Sequence, residues 1–314
     1  MEISIKGKIL KGVGGLYSVL VLSDGEYFGE TIRCRARGVF RHNHLTPLPG
    51  DLVLLSYDAS KGAEDGNFVI DEIVDRRNAL IRPPLANLDY LFVTMAAASP
   101  APILPTVDKL ISIAEHNKIE PVIVITKCEL CEERAKEIYD IYSSAGFFCF
   151  RLSAVENINI APIDEFIKQN LPNKTAAFAG ASGIGKSTLL NRLFPTLELN
   201  TSEISRKIER GRHTTREVEL FPISKDADCG YIADTPGFSM LDFKRFDFFE
   251  KEDLVDTMRE FAPYIGNCRY TKCSHTKEEG CAIIEAVRNG SISKSRHESY
   301  VELYDILKTR KKWD

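Results

Sequence analysis

The sequence predicts a multi-domain α/β protein with three architectures in succession: a small all-β barrel, a domain built on a mostly parallel sheet, and a short helical domain rich in metal-ligand side chains. Three observations carry this. Short β-like runs broken by glycine fill the N-terminal region, apolar strand runs alternate with helical periodicity from Asp89 onward, and three cysteines crowd together between 268 and 281. The boundaries that follow are 1–75, 76–241 and 242–314.

In the first region the strand-like runs are Ser18–Leu22, Tyr27–Arg37, Asp51–Tyr57 and Phe68–Ile73, with turn signals at Gly12-Val13-Gly14-Gly15, Asp24-Gly25 and Pro49-Gly50. Short strands without a helix-period segment fit an OB-like barrel, although an SH3-like barrel leaves a similar trace. In the second region the strands are Tyr90–Met95, Pro121–Thr126, Phe147–Leu152, Ala176–Ala179 and Tyr231–Ala233. Between the first two, Val107, Leu110, Ile111 and Ala114 recur on one face of a helix over Val107–Asn117, so this is a βαβ unit. The third region is expected to open with a helix over Phe248–Phe261 and to end with another over His297–Lys312.

The chain of 314 residues is 44% hydrophobic and 27% charged with 20 Gly and 14 Pro, which suits a folded globular protein and excludes collagenous and disordered classes. Its N-terminus, MEISIKGKIL, lacks the apolar core of a signal peptide, and no run reaches a membrane-spanning length, so the expected location is cytoplasmic. The eight cysteines then read as thiols or metal ligands. A net charge of −4 argues against indiscriminate nucleic-acid binding while leaving room for local basic patches.

Gly180-Ala181-Ser182-Gly183-Ile184-Gly185-Lys186-Ser187-Thr188 fits G-x-x-x-x-G-K-[ST], with a strand-like run before it and a helix-like run after it. Backbone amides of such a loop cradle phosphates at a helix N-terminus. Lys186 is placed to reach the β and γ oxygens, and Ser187 to hold Mg²⁺ through its hydroxyl. Asp234-Thr235-Pro236-Gly237 follows a short strand, where an aspartate can bind that metal through water and the Gly237 amide can sense a γ-phosphate. Between them, Gly211-Arg212-His213-Thr214-Thr215 offers threonine hydroxyls for the metal, as switch segments do.

A phosphate loop does not choose a base. Thr126-Lys127-Cys128-Glu129 ends a strand with a lysine stem to cover a ring and a carboxylate to accept from guanine N1–H and its amine, and it resembles the N/T-K-x-D motif of GTPases. Ser153-Ala154, after the next strand, resembles their second base-contacting motif. Both precede residue 180, whereas most GTPases place them last, so the motif order is circularly permuted. A parallel sheet keeps its geometry under that change because chain ends usually lie at the surface.

The order T-K-C-E, S-A, GASGIGKST, GRHTT, DTPGF, together with the flanking domains, resembles the small-subunit ribosome biogenesis GTPases of the RsgA (YjeQ) family over nearly the whole chain. The resemblance implies an N-terminal OB barrel, a circularly permuted P-loop GTPase domain, a C-terminal zinc domain, and GTP hydrolysis stimulated by the small ribosomal subunit and its 16S rRNA. It also implies that His213 assists hydrolysis, with Lys186 and Thr215 beside it. No glutamine follows Gly237 to orient water as in Ras-like enzymes, so intrinsic turnover is expected to be slow. Glu129 stands where the family usually has aspartate, and Thr126 where asparagine is commoner.

Cys268, Cys273, His275 and Cys281 form C-x4-C-x-H-x5-C, a soft ligand set that suits one structural tetrahedral Zn²⁺, with an iron–sulfur cluster the less suited alternative. Arg33, Arg35 and Arg37 alternate along a strand and project from one face, with Arg41 just beyond; an RNA-facing stripe and a solvated strand face both fit. Lys308-Thr309-Arg310-Lys311-Lys312-Trp313 supplies a second basic patch, which a frayed helix terminus with favourable cations explains better. Nothing in the sequence demands more than a monomer. An ATPase or small-molecule kinase with an appended barrel is the rival function, which the base motifs disfavour.

Overall fold

The computed structural model describes residues 5–42, 45–57, 68–81, 83–195, 218–224, 229–234 and 250–309. Along the chain run β1 (Ile5–Val13), β2 (Leu16–Val21), β3 (Thr31–Ala36), a single helical turn α1 (Val39–His42), β4 (Leu52–Tyr57) and β5 (Phe68–Ile73). A two-stranded ribbon follows, β6 (Ala79–Leu80) and β7 (Leu85–Ala86). Then come β8 (Tyr90–Ala96), α2 (Leu104–His116), β9 (Glu120–Thr126), α3 (Glu132–Ser144), β10 (Phe148–Arg151), α4 (Ile160–Asn170), β11 (Thr175–Ala179) and α5 (Lys186–Leu193). After β12 (Glu219–Pro222) and β13 (Tyr231–Asp234) the chain ends with α6 (Ala282–Arg288) and α7 (Lys294–Thr309). It divides into two compact units: Met1–Tyr90 with Phe166–Phe178 and Phe194–Phe238, and Leu91–Glu165 with Ala179–Leu193 and Ser239–Asp314.

In the first unit β1 to β5 close on themselves in the order β1-β2-β3-β5-β4, with β4 returning to β1 and β3 parallel to β5. That parallel pair and closure resolve the barrel as OB-like, a distinction that rests on long-range pairing and leaves no trace in local periodicity. Its core is Ile9, Val19, Cys34, Val53, Leu55 and Ile70. Strand β1 was not among the expected runs, because Lys6, Lys8 and Lys11 interrupt it. Lys8 is nevertheless buried: its Nζ donates to Thr175 Oγ1 at 3.1 Å and lies 4.0 Å above the Tyr231 ring. Burial pushes its pKa down to about 8 against the pull of Asp89. Beside it, β1 pairs antiparallel with β12, Lys11 opposite Glu219 with a 2.7 Å ion pair, and β12 pairs with β13. Strand β12 is another element that the sequence reading left out.

On β3, Arg33 and Arg35 are exposed on either side of the buried Cys34, as a period of two requires. Arg37 lies just past the strand and is paired with Asp71 at 2.5 Å. The side chain of Arg41 and residues 310–314 lie outside the described residues.

The second unit holds β8, β9 and β10 in adjacent order, with β9 and β10 parallel, Val122 opposite Phe148 and Ile125 opposite Arg151. Every residue of β8 and nearly all of β9 are buried, the composition that a strand covered on both faces needs. Helix α2 carries Pro105 in its first turn, where the missing amide costs nothing, and buries Val107, Leu110, Ile111, Ile113 and Ala114.

That same helix buries Asp108, and the fully buried Arg296 of α7 answers it, Nη1 donating to Asp108 Oδ1 at 2.6 Å. Arg296 also donates to both oxygens of Glu260, at 2.7 and 3.2 Å, and lies over the rings of Tyr142 and Phe147. Tyr142 donates to Asp108 Oδ1 at 2.9 Å. Arg259 similarly binds Glu115 at 2.5 Å and Glu120 at 2.7 Å. Two arginines thus fasten the C-terminal segment to α2 and β9.

The helix expected over Phe248–Phe261 is corrected: residues 248 and 249 lie outside the described set, and the rest contains 3-10 segments, Asp253–Thr257 and Arg259–Tyr264. Met258 between them is extended (φ −108°, ψ 92°), and Pro263 removes an amide, so no α-helical ladder can form. The break turns Leu254, Met258 and Phe261 all inward.

Candidate functional site

The loop between β11 and α5 takes its shape from glycine. Gly180, Gly183 and Gly185 have φ of +151°, +78° and +90°, values that L side chains rarely adopt. A Cβ on Gly180 would also collide with the carbonyl oxygen of Thr94 and with Ile184 Cδ1. Ala181, Ser182 and Gly183 are exposed, Ile184 is buried as an anchor, and Ser187 and Thr188 present exposed positions on the first turn of α5. Lys186 is half-buried, with its Nζ 3.3 Å from the carbonyl of Gly180.

The structure brings Thr126 and Lys127 onto this loop. Thr126 is buried at the end of β9, and its hydroxyl lies within hydrogen-bond reach of the carbonyls of Ile184 and of Met95, the latter at 3.1 Å. Lys127 is left-handed (φ +55°), which turns its side chain back so that Nζ donates to Gly183 O at 2.7 Å and to Ser99 O at 2.5 Å. The Ser99 carbonyl was not legible as a site atom, because nothing local in S-P-A-P marks it. Glu129 keeps Oε2 buried without a hydrogen-bond partner among the described residues. The unpaired acceptor fits a ligand edge that carries N–H donors.

Cys128 is buried, and burial raises its thiol pKa, so it serves as packing. Its amide donates to Leu152 O at 3.2 Å, tying the first base motif to the strand end that carries the second. There Ser153 and Ile158 exchange amide-to-carbonyl hydrogen bonds at 3.0 Å, and the Glu156 amide donates to Ser153 Oγ at 3.1 Å. This closes a six-residue loop that presents Ala154 at its start.

The remaining predicted residues are not placed. Asp234 ends β13, but its side chain, and all of His213, Thr214, Thr215 and Gly237, lie outside the described residues.

Cys268, Cys273, His275 and Cys281 do come together, their ligand atoms all within 4.8 Å of one another. Cys268 Sγ lies 3.8 Å from Cys281 Sγ, and His275 Nδ1 lies 3.5 and 3.4 Å from these two sulfurs. A tetrahedral ion with metal–sulfur bonds of about 2.3 Å and metal–nitrogen bonds of about 2.0 Å sets sulfurs about 3.8 Å apart and sulfur from nitrogen about 3.5 Å. The donor set therefore fits a metal ion in spacing as well as in chemistry. Burial pushes the Cys273 thiol up to about 12, raises that of Cys281 and lowers the His275 imidazole, so the imidazole is offered neutral and these two thiols need a cation to release their protons.

The chain around the cluster is braced. Burial alone would raise the Glu278 carboxyl, but the hydroxyl and amide of Ser274 and the amide of Lys277 outweigh it and hold the group at about 2. Tyr300 donates to Ser274 O at 2.9 Å, and His297 Nε2 lies 2.7 Å from His275 O. Among the described residues no helix is long and apolar enough to cross a membrane.

Comparison with known proteins agrees with this arrangement. Residues 6–63 match the model of the RsgA N-terminal domain, and residues 73–244 that of the RsgA GTPase. The small ribosomal subunit biogenesis GTPase RsgA of Ruminiclostridium cellulolyticum is 40% identical over 303 residues, covering 96% of this chain and 93% of that protein. Its counterpart from Alkaliphilus metalliredigens is 36% identical over 312 residues, covering 98% and 99%. Among solved structures, YjeQ from Thermotoga maritima superposes with a TM-score of 0.80 at 31% identity, covering 98% of this chain and all of that one (100%). YloQ, described as a circularly permuted GTPase, gives 0.76 at 32% identity over 98% of this chain and 96% of that one. With the barrel, the glycine-built loop and the base motifs ahead of it all in place, the chain belongs to the RsgA GTPase family.

Proposed function

We propose that this chain hydrolyses GTP to GDP and phosphate in the late biogenesis of the small ribosomal subunit, with turnover stimulated by the subunit and its 16S rRNA. The observation that carries the nucleotide reading is the direct fastening of the base motif to the phosphate loop by Thr126 and Lys127. In this reading the division of labour follows the three regions: 1–75 faces RNA through Arg33 and Arg35, 76–241 holds the nucleotide, and 242–314 carries the metal.

The amides of Gly180 to Gly185 receive the phosphates, and Lys186 neutralises the β and γ oxygens. Ser187, with Thr214, Thr215 and Asp234, would hold Mg²⁺, whose chemistry is to offset charge developing between the β and γ phosphates. The Lys127 stem covers the base, Glu129 accepts from its N–H groups, and the Ser153–Ala154 loop closes over the opposite edge. Gly237 senses the γ-phosphate and His213 positions the attacking water. Cys268, Cys273, His275 and Cys281 would hold one zinc ion, closed by four protein ligands and therefore structural. The chain works as a monomer in the cytoplasm.

Displacement of a fluorescent GDP analogue tests the base assignment. GDP is expected to compete at least a hundredfold better than ADP, and Glu129→Ala to remove most of that preference while pyrophosphate competition stays the same. Equal displacement by ADP and GDP from the unaltered protein would refute it.

A further inference from the structure

The pieces of the nucleotide site form a closed circuit. The phosphate loop is tied to the first base motif by Lys127 and Thr126, and that motif is tied to the second by the Cys128 amide on Leu152. The last link returns to the start. Arg192, on the helix that begins with Lys186, donates to Asn157 Oδ1 from Nη2 at 2.5 Å and from Nε at 3.2 Å.

This link differs in kind from the others. Each of them ends on a backbone carbonyl, whereas the closing one joins two exposed side chains, and so can be removed without opening the core. Its acceptor is well placed to act as a handle. Asn157 is left-handed (φ +59°), a conformation that asparagine tolerates better than most residues, and it sits inside the loop that Ser153 and Ile158 close at the neck. The neck fixes the two ends of the loop, while its tip, Val155 to Asn157, is exposed. Among the described residues, Arg192 holds that tip to the phosphate helix through a charge-assisted bond.

We propose that Arg192 is a positioning residue for base recognition: through Asn157 it holds the Ser153–Ala154 loop against the helix of the phosphate loop, and so sets how long a guanine nucleotide stays bound. The proposal rests on the nucleotide reading given above. Loss of the link frees the loop tip while leaving the phosphate cradle, Lys127 and Glu129 as they are, so its effect falls on the base and not on the phosphates. It should show as faster release, since the loop closes over a ligand already bound.

Dissociation of a fluorescent GDP analogue, chased with unlabelled GDP, measures this in the full-length protein. Arg192→Ala keeps helix propensity and removes the donor, while Asn157→Gly keeps the positive φ and removes the acceptor. Each is expected to raise the release rate about three- to tenfold, the range for one hydrogen bond of this kind. The double variant should release no faster than the faster single one, Arg192→Lys should recover part of the loss, and pyrophosphate affinity and the thermal midpoint should stay unchanged. Wild-type release rates in both single variants, or an equal loss of pyrophosphate affinity, would overturn the assignment of Arg192. If the unaltered protein fails to prefer GDP over ADP, the nucleotide reading itself falls and takes this proposal with it.

Discussion

Replacing Arg296 by alanine is expected to lower the unfolding free energy by about 3–5 kcal/mol, the cost of stranding buried charge. The guanidinium is fully buried and serves two carboxylates, Asp108 and Glu260, that are themselves almost inaccessible. Burial alone would make Arg296 less basic, but the two carboxylates outweigh it and hold it firmly charged. Among the described residues, its removal leaves Asp108 with the Tyr142 hydroxyl alone and Glu260 without its bidentate partner. Arg296→Lys keeps the charge but cannot span both acceptors in a fixed fork, and should fall between the two. Urea midpoints compare the three proteins. A loss below about 1 kcal/mol for alanine would mean that water reaches the site and that the cluster is not the fastening described here.

Removing the metal should have the larger effect. A structural zinc site supplies folding free energy outright, on the order of 10 kcal/mol in small domains. The segment it would hold together, 268–281, contains only turns, bounded by the buried Cys281 and braced through Ser274, Glu278 and Tyr300. Without the ion, Cys268 and Cys281 would face one another with their sulfurs 3.8 Å apart, and burial holds the protons on Cys273 and Cys281. The purified protein is expected to contain one zinc per chain, and chelation or Cys281→Ser should expose amides over 260–300 to hydrogen exchange. Metal-free protein with full protection in that segment would rule the site out.

What was legible in the sequence shares a physical cause. The phosphate loop was readable because its backbone demands glycine at Gly180, Gly183 and Gly185, and a demand on φ shows in residue type. The cysteine–histidine cluster was readable because soft ligands declare themselves chemically. Thr126-Lys127-Cys128-Glu129 and Ser153-Ala154 stood out as a lysine, a carboxylate and a small pair at strand ends, which is where the structure has them. What was missed depends on pairing between distant segments. Strand β1 reads as polar because Lys8 is buried at a junction with Thr175 and Tyr231 that no local pattern announces. Arg296 finds Asp108 across 188 residues, and Arg192 finds Asn157 across 35. The segment after 250 looked helical by periodicity, and Met258 and Pro263 broke it into 3-10 turns.

The central claim is that a site assembled in permuted order discriminates guanine and turns over on the ribosome. Steady-state hydrolysis of GTP and of ATP, each with and without small ribosomal subunits, tests it most directly. The account predicts slow GTP turnover by the protein alone, a rise of at least about tenfold with small subunits, and negligible ATP turnover in both conditions. Comparable rates for ATP and GTP, or GTP turnover that small subunits leave unchanged, would contradict it.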